Sequence, residues 1–325
     1  MKQFDIICIG ESLRDIFYII DEATVSCSLK KDKCLLCLDY AEKIPVRNVI
    51  KIPAAGNSAN VAVSASRLGF KSALVSWVGK NFVGEQLKET LRREKVDVSL
   101  MCKCANEHTS EATLLSYKGE RTQLLFFKPR KYKFPKLQKT KWIYYSAMGN
   151  NFLAFNKHLV KYLQQNLNIH LAFQPGTTHI RAGLNQLKTL IKLSDIFILN
   201  KEEAQVLLND KIHLIKNLLG DLYKLGAKIT VITDNKNGAY AYDGNTFWHM
   251  PIFKGEAIES TGAGDAFASA FTCAISLNKP ITEALRWGTA NAWSVIREIG
   301  PQKGLPTKKE LRIILKKFST QPAKI

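Results

Sequence analysis

Gly262, Ala263, Gly264 and Asp265 stand in a row, and an apolar run reading "AFASAFTCAISL" follows directly. Glycines let backbone N–H groups come close to an anion, and a helix starting here adds partial positive charge. A carboxylate at such a place repels a phosphate, unless its task is to hold the nucleophile that attacks it. The pattern then suits phosphoryl transfer. Asp265 orients a hydroxyl and accepts its proton, while the amides of residues 262–264 steady the transferred group. A helix-start acid after a tight turn accounts for the same residues without chemistry, since acids are favoured at helix N-termini. At an ordinary pKa of about 3.9 this acid is ionised at neutral pH, and orientation supplies much of its effect.

Other nucleotide motifs are missing. "VGKN" at Val78–Asn81 lacks the earlier glycine and the hydroxyl residue of a P-loop. "GAGDAF" lacks the third glycine of a dinucleotide fingerprint and does not follow the first strand.

The elements that must carry this turn alternate between period 2 and period 3.6. Strands are expected at "FDIICIG", "SALVSWVG", "WIYYSAM", "IHLAFQPG", "DIFILN", "KITVITD" and "GAYAYDG". Helices are expected at "SANVAVSASRLG", with Ser58 as cap and Gly69 as stop, and at "GEQLKETLRREK", "FLAFNKHLVKYLQQN" and "GLNQLKTLIKL". Further helices are expected after Asn200 and at Gly264–Leu277, Ile281–Ile296 and Lys308–Lys317. Such alternation means an α/β protein with a mostly parallel sheet covered on both faces. Short strands near residues 16–52 and 98–127 break the rhythm and predict a small separate sheet, including a hairpin turning at Lys118–Glu120. After Phe318 a short polar tail is expected.

The 325 residues suffice for one large α/β domain, and 46% hydrophobic with 23% charged residues is a soluble composition. No apolar run reaches the ~20 residues of a membrane span, and "MKQFDIICIGES" reads as a first strand rather than a leader, so the cytoplasm is expected. The net charge of +19 is spread widely, with short clusters such as "KPRKYK" and no nucleic-acid-reading motif. It fits a soluble surface or anionic substrates better than nucleic acid. Seven cysteines suggest no disulfide framework. Cys34 and Cys37, with Cys102 and Cys104, miss the usual zinc spacing, and an extended segment sends the first two to opposite faces.

"ESTGAGDAF" resembles the D-T-x-G-A-G-D-x-F signature of the ribokinase-like, or PfkB, family of carbohydrate and nucleoside kinases. "AAGNSANVAVSASRLG" resembles that family's N-terminal G-G-x-x-x-N signature, and "GESLRD" and "NKEE" are similar to its first-strand and N-x-x-E motifs. The likeness runs from about residue 4 to residue 317. It implies one ribokinase-like domain over residues 1–325, a three-layer α/β/α core with a small β-sheet lid over the acceptor site. It implies ATP-dependent phosphorylation of a hydroxyl on a small ribose- or fructose-like sugar. A nucleoside kinase and a non-catalytic sugar- or nucleotide-binding homologue are the alternatives.

The resemblance also implies roles. Asp265 is the general base, and the amides of Gly262, Ala263 and Gly264 are the anion hole. Asp15, Gly56, Asn57 and Asn60 bind the acceptor. Asn200, Thr233, Gly238 and Asn291 serve ATP, and Glu203 holds Mg²⁺ through water. A homodimer through the lid is a further expectation. Five positions depart from the family pattern, one of them Ser260, which stands where the family has threonine. Glu259 replaces an aspartate that shapes a monovalent-cation (K⁺) site, which the extra methylene disturbs. Ala55 replaces the first glycine of the sugar-site pair, and its methyl group is expected to narrow the pocket. Asn235 replaces a glycine of the nucleotide loop, where its tolerance of left-handed backbone helps. Asn81 stands where an aspartate is frequent.

Overall fold

A computed structural model of the protein describes residues 2–28, 34–104, 108–210 and 214–325. Its frame is a nine-stranded sheet. From one edge the order is Ser72–Val75, Gln3–Ile9, Lys139–Tyr145, His170–Phe173, Ile196–Asn200 and Ile229–Thr233, all parallel. Ala239–Tyr242, Phe247–Met250 and Ala323–Lys324 complete it antiparallel. The residues beyond Phe318 therefore close a sheet edge, a pairing too short to leave a periodic signal in a polar segment.

Parallel strands buried on both faces read as continuous apolar runs, and Gln3–Ile9 illustrates it. Ile6 and Cys8 enter one core, while Ile7 and Ile9 enter the other. The first core lies beneath the helices Asn57–Arg67, Ala263–Ser276, Ile281–Val295 and Lys308–Lys317. The second lies beneath Phe152–Gln165, Leu184–Lys192, Lys201–Leu208 and Ile215–Lys224. The fold is ribokinase-like α/β, with a central mixed sheet between two helical layers.

Ala263–Ser276 is buried continuously from Asp265 to Ala274, as expected of a helix apolar or small on every side. Its small residues let Asn57–Arg67 pack beside it. The latter helix starts at Gly56 rather than at a Ser58 cap. Ser58 is buried and donates to the Glu11 carbonyl at 3.1 Å. Gly56 has φ 98°, and a Cβ there would lie 2.8 Å from the Glu11 carbonyl oxygen. The helix can therefore begin hard against the loop after the first strand only with glycine.

A smaller sheet of four strands runs Glu120–Phe126, Glu111–Tyr117, Leu13–Ile20, Val46–Ala55. Its hairpin turns through Lys118 and Gly119, both at positive φ. Its first strand starts at Leu13, and Cys102–Cys104 is not part of it, pairing instead with Trp77–Gly79. A separate hairpin, Thr24–Cys27 with Cys34–Cys37, sets Cys27 opposite Cys34, and a disulfide joins them. This corrects the expectation from cysteine counting: strand register, not spacing, made the two neighbours. Among the described residues no helix is long and apolar enough to cross a membrane.

Candidate active site

Gly262 caps the N-terminus of Ala263–Ser276 in left-handed geometry, φ 81° and ψ 0°. A Cβ there would lie 2.5 Å from Cβ of Pro301, so both backbone angle and space require glycine. The turn delivers Asp265 into the first helical turn, where only 6% of the residue is exposed. Both of its carboxylate oxygens are held. Asn57 Nδ2 donates to Oδ1 and Asn60 Nδ2 to Oδ2, each at 2.8 Å. Asn60 is fixed in turn by Gln302 Nε2, which donates to its Oδ1 at 2.9 Å. Thus Asn57 and Asn60, expected as acceptor ligands, orient the Asp265 carboxylate in this conformation.

Burial raises the pKa of Asp265, while the Asn60 and Asn57 hydrogen bonds and the Arg121 charge oppose the rise. The ordinary pKa expected from sequence is thereby corrected. Asp15 sits on the lid strand Leu13–Ile20 and is 5% exposed. Burial first, then the negative charges of Asp265 and Glu259, push its pKa to about 7, against the pull of Arg121. Asp15, Asp265 and Glu259 therefore share one electrostatic basin.

Asn200 and Glu203 form a capping box. The Glu203 amide donates to Asn200 Oδ1 at 2.7 Å, and the Asn200 amide donates to Glu203 Oε2 at 2.9 Å. Burial raises the Glu203 pKa to about 7, and Asp265 adds to the rise against the Asn200 backbone bond. Glu202 points to solvent. Thr233 ends a sheet strand, and Gly238 follows the short helix Asn235–Asn237. Asn235 has φ 45°, so it occupies the left-handed region expected of it. Asp234 pairs with Lys201 at 3.3 Å within this loop.

Two expectations fail. Asn291 is fully buried and donates to Ser64 Oγ at 2.9 Å and to the Ala266 carbonyl at 2.6 Å. It ties three helices together and offers no surface to adenine. Ala55 is also fully buried, packed with Leu13, Phe17, Ala112 and Leu114 at the base of the lid, so its methyl group does not narrow the pocket.

Sequence reading missed Arg121 and Gln302. Arg121 lies on the lid strand Glu120–Phe126, where nothing in "ERTQLLF" sets it apart. Its Nη1 lies 3.3 Å from Glu259 Oε1 and donates to Ser260 Oγ at 2.6 Å. Glu259 Oε1 also accepts from the amide and hydroxyl of Thr261. Gln174, hydrogen-bonded to Tyr144, lies 3.8 Å from where a Cβ on Gly264 would stand. The Gly264 backbone thus borders open space beside a polar side chain.

Among the described residues no group of three or more His, Cys, Asp and Glu is arranged to hold a metal. Mg²⁺ does not demand one, since it keeps waters and binds one or two carboxylates plus phosphates. Glu203, whose pKa is raised by burial first and by the charge of Asp265 after it, fits that limited donor set together with Asp265.

A profile of the pfkB family of carbohydrate kinases matches residues 17–308. The 5-dehydro-2-deoxygluconokinase of Bacillus licheniformis is 24% identical over 334 residues, spanning 97% of this chain and 96% of that protein. A nucleoside kinase of Methanocaldococcus jannaschii is 29% identical over 288 residues, spanning 83% of this chain and 91% of its own length. The ribokinase of Arabidopsis thaliana, solved with ribose and ATP, superposes with a TM-score of 0.80 at 18% identity, over 98% of this chain and 100% of that one. With a glycine turn presenting a doubly held aspartate, and with a family match over most of its length, the chain belongs to the PfkB family of carbohydrate kinases and is a phosphotransferase.

Proposed function

We propose that the protein transfers the γ-phosphoryl group of ATP to a hydroxyl of a small ribose- or fructose-like sugar. The observation that carries this reading is the Asp265 carboxylate, gripped by Asn57 and Asn60 at the glycine-capped end of a buried helix. Asp265 accepts the hydroxyl proton as the oxygen attacks phosphorus, and its bond to the ADP oxygen breaks in line. The amides of Gly262, Ala263 and Gly264 receive the charge on the phosphoryl oxygens. Asp15 holds a further acceptor hydroxyl, with Gly56 lining the approach. Asn200, Thr233 and Gly238 frame the ATP side, and Asn291 is left out of that set. Glu203 would hold Mg²⁺ through water, and the ion would neutralise charge on the ATP phosphates.

The Arg121 guanidinium already meets the charge of Glu259, so no K⁺ ion is needed to balance it. An ATP-consuming reaction suits the cytoplasm. Leu124, Leu125 and Phe126 are about half exposed on the lid's outer strand and support a homodimer through the lid, to be checked by light scattering.

A nucleoside acceptor is the second reading, favoured by the nucleoside kinase among the relatives. Purified protein with ATP and Mg²⁺, offered sugars and nucleosides in turn and read by ADP release, decides between them. Saturable ADP release with a sugar supports the first reading and with a nucleoside the second. Binding of sugar or ATP without turnover leaves a non-catalytic homologue.

A further inference from the structure

The carboxylate of Glu259 joins three separate segments of the chain. It accepts from the amide and hydroxyl of Thr261, one residue before the glycine turn. Its second oxygen accepts from the Gly300 amide at 3.4 Å, next to the Pro301 that packs against Gly262. Arg121, carried by the lid, supplies the third connection at 3.3 Å and also grips Ser260.

Glu259 is 5% exposed, and its burial is tolerable only while that charge is met. The Nε–H of Arg121 is buried without an acceptor, so the closed contact leaves one donor of the guanidinium unsatisfied. The closed contact therefore carries a desolvation cost. Its position matters as well. Arg121 acts electrostatically on both Asp15 and Asp265, so the lid brings its cation to the place where the acceptor and the base meet.

We propose that Arg121 and Glu259 are a positioning pair that clasps the lid strand Glu120–Phe126 to the loop leading into the glycine turn, so that the anion hole is fully ordered only when the lid is shut. Lid closure then does more than exclude water. It fixes Thr261 through Glu259, and with it the entry to Gly262. Phosphoryl transfer to water is suppressed while the acceptor site is open, because the amides are not yet in place.

This inference rests on the kinase reading for its catalytic consequence, but the clasp itself can be tested without turnover. Hydrogen exchange is measured on residues 120–126 in the wild type, R121Q, E259Q and the double variant, each first shown to melt cooperatively. The expected result is exchange about 10-fold faster in each single variant and no faster in the double, because the two residues form one contact. Exchange equal to wild type in R121Q overturns the clasp. Steady-state kinetics then uses whichever acceptor releases ADP. R121Q should lose about 10- to 100-fold in kcat with little change in the ATP KM, and R121K, which keeps the charge, should recover part of the loss. An R121Q variant with wild-type kcat overturns the positioning role. A wild type inert toward all acceptors defeats the kinase reading and the positioning role with it, while the exchange result still decides the clasp.

Discussion

Asn60 and Asp265 are 205 residues apart in sequence and 2.8 Å apart in space, the amide of one fixing Oδ2 of the other. The bond has an electrostatic consequence. It favours the ionised form of a carboxylate that burial pushes toward neutrality. Asn60→Ala should therefore raise the pKa of Asp265 further and move the acidic limb of the kcat–pH profile to higher pH. A profile that keeps its position would remove Asn60 from the tuning of the base.

Asp265→Asn keeps the shape and removes the proton acceptor. We expect kcat to fall by about 10²- to 10⁴-fold with ATP binding intact by calorimetric titration. Near-normal turnover would exclude Asp265 from the chemistry.

Gly262 and Gly264 separate folding from catalysis. Gly262→Ala places a methyl group 2.5 Å from Pro301 at a φ of +81°, and should cost about 1–3 kcal/mol of stability as well as activity. Gly264→Ala meets nothing nearer than Gln174 at 3.8 Å and should leave stability within about 1 kcal/mol of wild type. On the proposed mechanism its methyl group would border the amides that receive the phosphoryl charge, so kcat should still drop. Thermal melts and rates on the two variants check the contrast, which fails if Gly264→Ala turns over normally.

Asp15 makes stability depend on pH in a definite direction. Its pKa of about 7 in the folded protein lies above the ordinary carboxylate value of about 3.9. Between those values the folded chain binds more protons than the unfolded chain, so stability falls as pH rises from about 4 to about 7 and levels off above. Glu203, also raised to about 7, adds a slope of the same sign. Asp15→Asn carries no charge at any of these pH values. It should melt higher than wild type at pH 8 and show no such gain at pH 4, while the acceptor KM rises. Equal pH slopes in the two proteins would count against the shift.

Much of this was legible before any coordinates, and the boundary is instructive. The sheet strands and the helix after Gly264 announced themselves because burial on both faces forces long apolar runs. The GAGD turn did so because a left-handed cap packed against Pro301 demands glycine at a fixed place. Arg121 and Gln302 gave no such signal, since each works only through a partner over 100 residues away, at 259 and 60 respectively. Asn291 misled because the local pattern that places an asparagine near a nucleotide also suits one that pins helices in a core. Cys27 and Cys34 escaped because their pairing depends on hairpin register.

The helices that begin at Asn57 and at Ala263 contribute to one centre from opposite ends of the chain. A nascent chain on the ribosome already contains both asparagines long before the carboxylate they bind has been synthesised. Until then the two amides lack that partner, and on the proposed mechanism the half-made centre lacks its proton acceptor. On the proposed mechanism, turnover regained after denaturation should therefore report the docking of roughly the last fifth of the polypeptide, a late, long-range event, rather than the recovery of helix content.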